Sequence, residues 1–102
     1  MAQFDVWEFG AKESAGPMVV DVQNAMFDAL ATRLVVPLYP LKLSDRPILR
    51  LNPVVEINGG TYYLAIQEMA AVRVNALVKR VTSLDKHRDQ IIAAIDFLTT
   101  GI

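Results

Sequence analysis

The sequence predicts a mainly β, α+β domain: a small barrel or strongly bent twisted antiparallel sheet with one C-terminal α-helix packed on it. Three observations predict it. Short apolar runs rich in Val, Phe and Tyr recur along the first eighty residues, separated by Gly, Pro and Asn. Asn58-Gly59-Gly60 sits between two such runs and supplies residues that tolerate positive φ, as a tight hairpin turn requires. Near the end, Ile91, Ile95, Leu98 and Ile102 recur at spacings of four, three and four, a stripe along one helix face.

Taken in order, the first strand is predicted over 3–9, with Phe4, Val6, Trp7 and Phe9. The stretch 10–17, with two glycines, Ser14 and Pro17, is a break. Met18, Val19, Val20 and Val22 make a second strand interrupted by Asp21. The segment 24–32 fits a helical turn or a short strand equally, through Met26, Phe27 and Leu30. Leu34, Val35, Val36 and Leu38 form a buried strand that Pro37 and Pro40 should stop, because proline cannot donate to a ladder. Residues 39–47 are then loop. The hairpin follows, with arms 54–57 and 61–66, and two short strands are expected within 69–81. Asp85 is placed as helix N-cap, and Gly101 as the glycine that ends the helix.

Composition bounds the function. The chain of 102 residues makes one domain spanning 1–102; it is 53% hydrophobic and 21% charged, enough apolar material for a core. Ten Lys and Arg against eleven Asp and Glu give a net charge of −1, which disfavours binding nucleic acid by phosphate neutralisation. With no cysteine there is no disulfide framework, no thiolate nucleophile and no Cys-based zinc site. The first ten residues carry Asp5 and Glu8 and no basic residue, and no run approaches the roughly 20 apolar residues of a membrane helix. A cytoplasmic protein is expected.

The chemistry of catalysis is sparse. The single histidine, His87, stands in Asp85-Lys86-His87-Arg88-Asp89, the composition of a solvated helix face rather than of an oriented base. No carboxylates cluster at metal-ligand spacing, and no glycine-rich loop opens a helix to cradle phosphate. The expectation is a non-enzyme without cofactor or metal, whose apolar surplus serves a subunit interface as well as a core. Periodicity alone sends Ile102 into the core; the other reading offers its apolar side chain and a free carboxylate to a partner.

Several segments in one register resemble the CcdB toxins of toxin–antitoxin modules. They are Gln3-Phe4-Asp5-Val6, Val20-Asp21-Val22-Gln23, Arg33-Leu34-Val35-Val36-Pro37-Leu38, Pro53-Val54-Val55, Met69-Ala70 and Gly101-Ile102. The resemblance implies the CcdB-type, SH3-like twisted sheet with its C-terminal helix, and a homodimer whose helices approach the two-fold axis. It implies a toxin that binds the A subunit of DNA gyrase and traps its complex with cleaved DNA. A CcdA-like antitoxin would neutralise it by folding a disordered segment upon it.

Carried over residue by residue, the gyrase-binding set is Asn24, Met26, Phe27, Asp96, Thr100, Gly101 and Ile102. Gly101 and Ile102 match the family's closing Trp-Gly-Ile; Thr100 stands where that tryptophan would be, and Asp96 where the family has asparagine. A buried tryptophan anchor contributes ~150–250 Å² of contact, so the resemblance predicts weaker gyrase binding here. Two alternatives follow: a diverged relative that binds antitoxin but no longer poisons gyrase, and a ribonuclease toxin of the same fold.

Overall fold

Strand pairing begins where the turn chemistry is tightest. In the computed structural model, which describes residues 1–10 and 17–102, Asn58 and Gly59 adopt φ of 49° and 83°. They join β4 (Val54–Ile57) to β5 (Gly60–Leu64), with Ile57 opposite Gly60. Two left-handed residues in a two-residue loop give the twist that matches flanking antiparallel strands. A Cβ at Gly59 would meet nothing within 4 Å, so its cost there is torsional alone. Gly59→Ala is therefore expected to lower stability by about 1–2 kcal/mol, read from the urea midpoint, with no change of fold.

The other strands are β1 (Asp5–Phe9), β2 (Met18–Asp21), β3 (Thr32–Pro40), β6 (Ala70–Arg73) and β7 (Leu77–Ser83). All seven form one curled antiparallel sheet, a half-barrel: six run in the order β4-β5-β3-β2-β1-β7, and β6 lies off this path, paired with β3. The long β3 holds it together. One edge pairs with β2; the other pairs with β6 along Thr32–Val35 and with β5 along Leu38–Pro40. Two register shifts in the pairing of β1 with β7 sharpen the bend at that end.

Adjacent residues of a strand face opposite sides of a sheet, and here both sides are apolar. Val6, Val20, Val36, Leu38, Leu64 and Ile66 meet Ile91 and Ala94 of α1 (Arg88–Thr100), which forms the main core. Their neighbours Trp7, Val19 and Val35 join Phe9, Val72 and Leu77 on the opposite face. Asp21 belongs to this second face, where its carboxylate meets the Arg33 guanidinium at 2.7 Å with both side chains fully buried. The acidic interruption of an apolar strand is thus one half of an internal ion pair.

Several boundaries differ from expectation. The first strand starts at Asp5 rather than residue 3, because Phe4 has φ of 71° and cannot continue an extended ladder. Segment 24–32 resolves into a 3-10 turn, Ala25–Phe27, that leads into β3. Pro37 does not stop β3. Val22 N–H donates to Leu34 O, which makes Val19–Pro37 a non-hydrogen-bonded pair and turns the proline nitrogen toward the other edge. There Pro37 falls between the stretches paired with β6 and β5, and its carbonyl accepts from Ala65 N–H. The strand then continues through Tyr39 and Pro40, opposite Tyr63 and Tyr62, so these two residues are strand and not loop.

Asp85 does not cap α1. It lies in a 3-10 turn, Asp85–His87, and its own N–H is held by Ser83 Oγ at 3.1 Å. The helix proper starts at Arg88 with no side-chain cap. Gly101 does end it, with φ of 76° and its N–H on Phe97 O. The predicted break at 10–17 falls largely outside the described residues. Among the described residues no helix is long and apolar enough to cross a membrane.

Candidate functional site

The residues singled out from the sequence fall into two groups carried by different elements. The first is the turn between β2 and β3. Asn24 Oδ1 accepts Met26 N–H at 2.9 Å, which starts the 3-10 turn and leaves Met26 80% exposed, with Phe27 and Leu30 half exposed. This apolar loop is held from behind. The Gln23 amide donates to Phe27 O and Thr32 O at 3.0 and 3.1 Å, while its oxygen accepts Leu34 N–H at 2.9 Å. Arg33 reaches from the buried pair to Asp28 at 2.6 Å. Gln23, Asp28 and Arg33 therefore hold the loop that displays Met26 and Phe27.

The second group closes α1. Thr100 Oγ donates to Asp96 O at 2.6 Å and lies 3.4 Å from Ile102 N, whose N–H it accepts. Gly101 N–H donates to Phe97 O at 2.9 Å. The Asp96 side chain points to solvent, and Leu98 is half exposed. Ile102 is 83% exposed, so the stripe that buries Ile91 leaves the core by its last member. The periodicity reading of Ile102 is thereby overturned: the left-handed Gly101 turns the chain off the helix axis before Ile102 can reach the core. Among the described residues no hydrogen bond or ion pair joins this group to the Met26 loop.

The catalytic inventory is small. His87 is half-buried at the start of α1, and its imidazole has no hydrogen-bond partner among the described residues. Arg33 is neutralised by two carboxylates. Burial alone would lower its pKa; hydrogen bonds and Coulomb attraction from Asp21 and Asp28 outweigh that and raise it, so the guanidinium stays charged. Arg80 lies 3.2 Å from Asp5. No group of three or more metal-ligating side chains occurs among the described residues.

An apolar cleft of about 280 Å³ opens on the sheet face away from α1, between Phe9, Val19, Val35, Tyr39 and Val72. At its rim Tyr39 donates to Glu68 Oε1 at 2.6 Å, and this bond to a carboxylate raises the phenol's pKa. The phenol donates only while protonated. Its contribution is therefore complete below the ordinary value of 10.0 and is lost as pH rises through the raised folded value. An ultraviolet titration of wild type should show a tyrosine step displaced above the ordinary value, and Tyr39→Phe should remove that late step.

The family model described as "CcdB protein" matches residues 3–101. That is nearly the whole chain. The chain belongs to the CcdB family.

The fold has solved counterparts as well. One, described as "Endoribonuclease in complex with its cognate antitoxin from Mycobacterial species", superposes with a TM-score of 0.78. The match covers 97% of this chain and 94% of that one at 12% sequence identity, and so bears on the fold. Within this CcdB-family chain, Gly101 and Ile102 sit at the exposed end of α1 and Met26 and Phe27 on the exposed loop. Sequence reading assigned no role to Gln23, Asp28 and Arg33, which hold the Met26–Phe27 loop, or to Arg50, whose Nη2 donates to Ile102 O at 2.9 Å. Their partners lie five to 52 residues away, apart from the local bonds of Gln23.

Proposed function

We propose that this CcdB-family toxin acts by binding a protein target, the A subunit of DNA gyrase, and that a CcdA-like antitoxin neutralises it. The observation that carries this reading is the Gly101–Ile102 tip: an apolar side chain in solvent on a backbone fixed by hydrogen bonds at Gly101 and Ile102. Exposed large apolar groups on ordered backbone are what a partner surface offers, and they contribute nothing to hydrolysis or group transfer. Asn24, Met26, Phe27, Asp96 and Thr100 complete the proposed contact set. The toxin needs no cofactor, works in the cytoplasm as a homodimer, and does not itself grip DNA, in keeping with its net charge of −1.

The ribonuclease reading draws on the solved counterpart named an endoribonuclease. Against it stand a His87 whose imidazole has no hydrogen-bond partner among the described residues and an Arg33 already held by Asp21 and Asp28. The experiment is a gyrase supercoiling and DNA-cleavage assay with the purified toxin and gyrase from the same organism, run beside an RNA-cleavage assay. Protein-linked linear DNA is expected. Cleaved RNA with intact supercoiling would replace this reading by the ribonuclease one. Neither activity, with antitoxin binding retained, would leave a protein that only engages its antitoxin.

A further inference from the structure

We propose that Arg50 is a positioning residue for the toxin's target-binding tip, tethering Ile102 from the loop ahead of β4. This rests on the reading above, that the tip meets the protein target.

The loop is built to aim this side chain. Arg50 has φ of 71°, the left-handed region that few residues other than glycine enter. Its neighbours fix that geometry. Leu51 and Asn52 N–H both donate to Ile48 O, at 3.1 and 2.8 Å, and Asn52 Oδ1 accepts Ile48 N–H at 2.9 Å. The buried Asn52 amide also donates to Leu64 O and Gln67 Oε1, at 3.0 and 2.8 Å, which knits the turn to the sheet. From this anchored turn the Arg50 guanidinium lies 4.4 Å above the Phe97 ring centroid, and Nη2 donates to Ile102 O at 2.9 Å.

Three contributions meet at that point. The guanidinium stacks on the aromatic face while its edge keeps a hydrogen bond, a combination a lysine ammonium cannot match. It brings a positive charge to the C-terminal end of α1, whose last turn has no basic residue of its own. It also engages Ile102 O while Thr100 Oγ faces Ile102 N–H, so the main chain of the exposed Ile102 is held from both sides. Ordering such a tip in advance removes a cost that binding would otherwise carry, roughly tenfold in affinity.

The test uses Arg50→Ala, Arg50→Gly, Ile102→Ala and the Arg50→Gly/Ile102→Ala pair in the full-length protein. Arg50→Gly keeps the left-handed turn without strain, so its unfolding midpoint should not fall. NMR relaxation of the Gly101 and Ile102 amides is expected to match that of α1 in wild type and to show a freed tip in both Arg50 variants. Binding to purified gyrase A subunit should weaken about tenfold in each, and the paired variant should bind no worse than Ile102→Ala alone. Amides as ordered as wild type in Arg50→Gly would overturn the tether. Additive losses in the paired variant would also overturn it, since Arg50 would then touch the target itself. If wild type does not bind gyrase, the target reading fails by itself, and the relaxation measurement still decides the tether.

Discussion

Asp21→Ala is expected to cost about 3–5 kcal/mol of unfolding free energy, a large share of the ~5–15 kcal/mol that holds a domain together. The Arg33 guanidinium is 1% exposed and Asp21 fully buried, and they meet through Nε at 2.9 Å and Nη2 at 2.7 Å. Asp21 Oδ1 also accepts Gln23 N–H at 3.0 Å. Truncating Asp21 leaves a charged guanidinium inside the sheet with one remaining carboxylate, that of the half-exposed Asp28. The cost is the stranded charge, not the lost attraction, and the double variant separates the two. Asp21→Leu with Arg33→Met removes both charges and should recover most of the loss, because buried pairs often exchange for apolar residues at little cost. Urea unfolding of the single and double variants is the measurement. A single variant within about 1 kcal/mol of wild type would mean that water reaches the pair.

The double variant should still separate stability from display. Arg33 is also the post to which Asp28 is tied, and Asp28 with Gln23 holds the loop that carries Met26 and Phe27. A refolded core without Arg33 is expected to free that loop. Stability would return while the contact surface proposed for the target would not.

What the sequence made legible follows from the range of each interaction. The β4–β5 hairpin is written in two adjacent residues, Asn58 and Gly59, whose conformational freedom is local. The α1 stripe is written at a fixed spacing, and its first members behave accordingly, Ile91 buried in the core and Ile95 packed against it. Its exposed end is different: whether Ile102 is covered depends on what the fold brings alongside, which periodicity does not carry. The same holds for Pro37. Its missing N–H is harmless only because β3 changes partner from β6 to β5 at that point, a fact of sheet topology. Asp21 reads as an interruption until the β2–β3 register places Arg33 beside it, twelve residues on. Arg50 had no local signal at all, since its partners Phe97 and Ile102 lie at the far end of the chain. The exposed display residues were reached through the family resemblance; the residues that hold them became visible only with the fold.

Thr100→Trp is expected to strengthen growth arrest and gyrase-mediated DNA cleavage if the tip meets gyrase as proposed. Thr100 occupies the place where the resembled toxins have tryptophan, and in this chain it is exposed. An interface tryptophan buries ~150–250 Å² and is typically worth ~2 kcal/mol or more, which converts to roughly thirtyfold in affinity. The substitution has a cost. Thr100 Oγ bonds Asp96 O at 2.6 Å and accepts from Ile102 N–H, and both bonds go with the hydroxyl. The tip nevertheless keeps Gly101 N–H on Phe97 O and the Arg50 hold on Ile102 O, so its direction should survive. Ile102→Asp supplies the opposite arm: a carboxylate in place of the exposed apolar side chain should abolish binding while leaving the fold intact, because Ile102 covers almost nothing. Growth arrest at matched levels of folded protein, paired with cleavage of supercoiled DNA, reads both. If neither substitution moves either readout, the end of α1 is not the proposed gyrase contact, and the Met26–Phe27 loop becomes the surface to test.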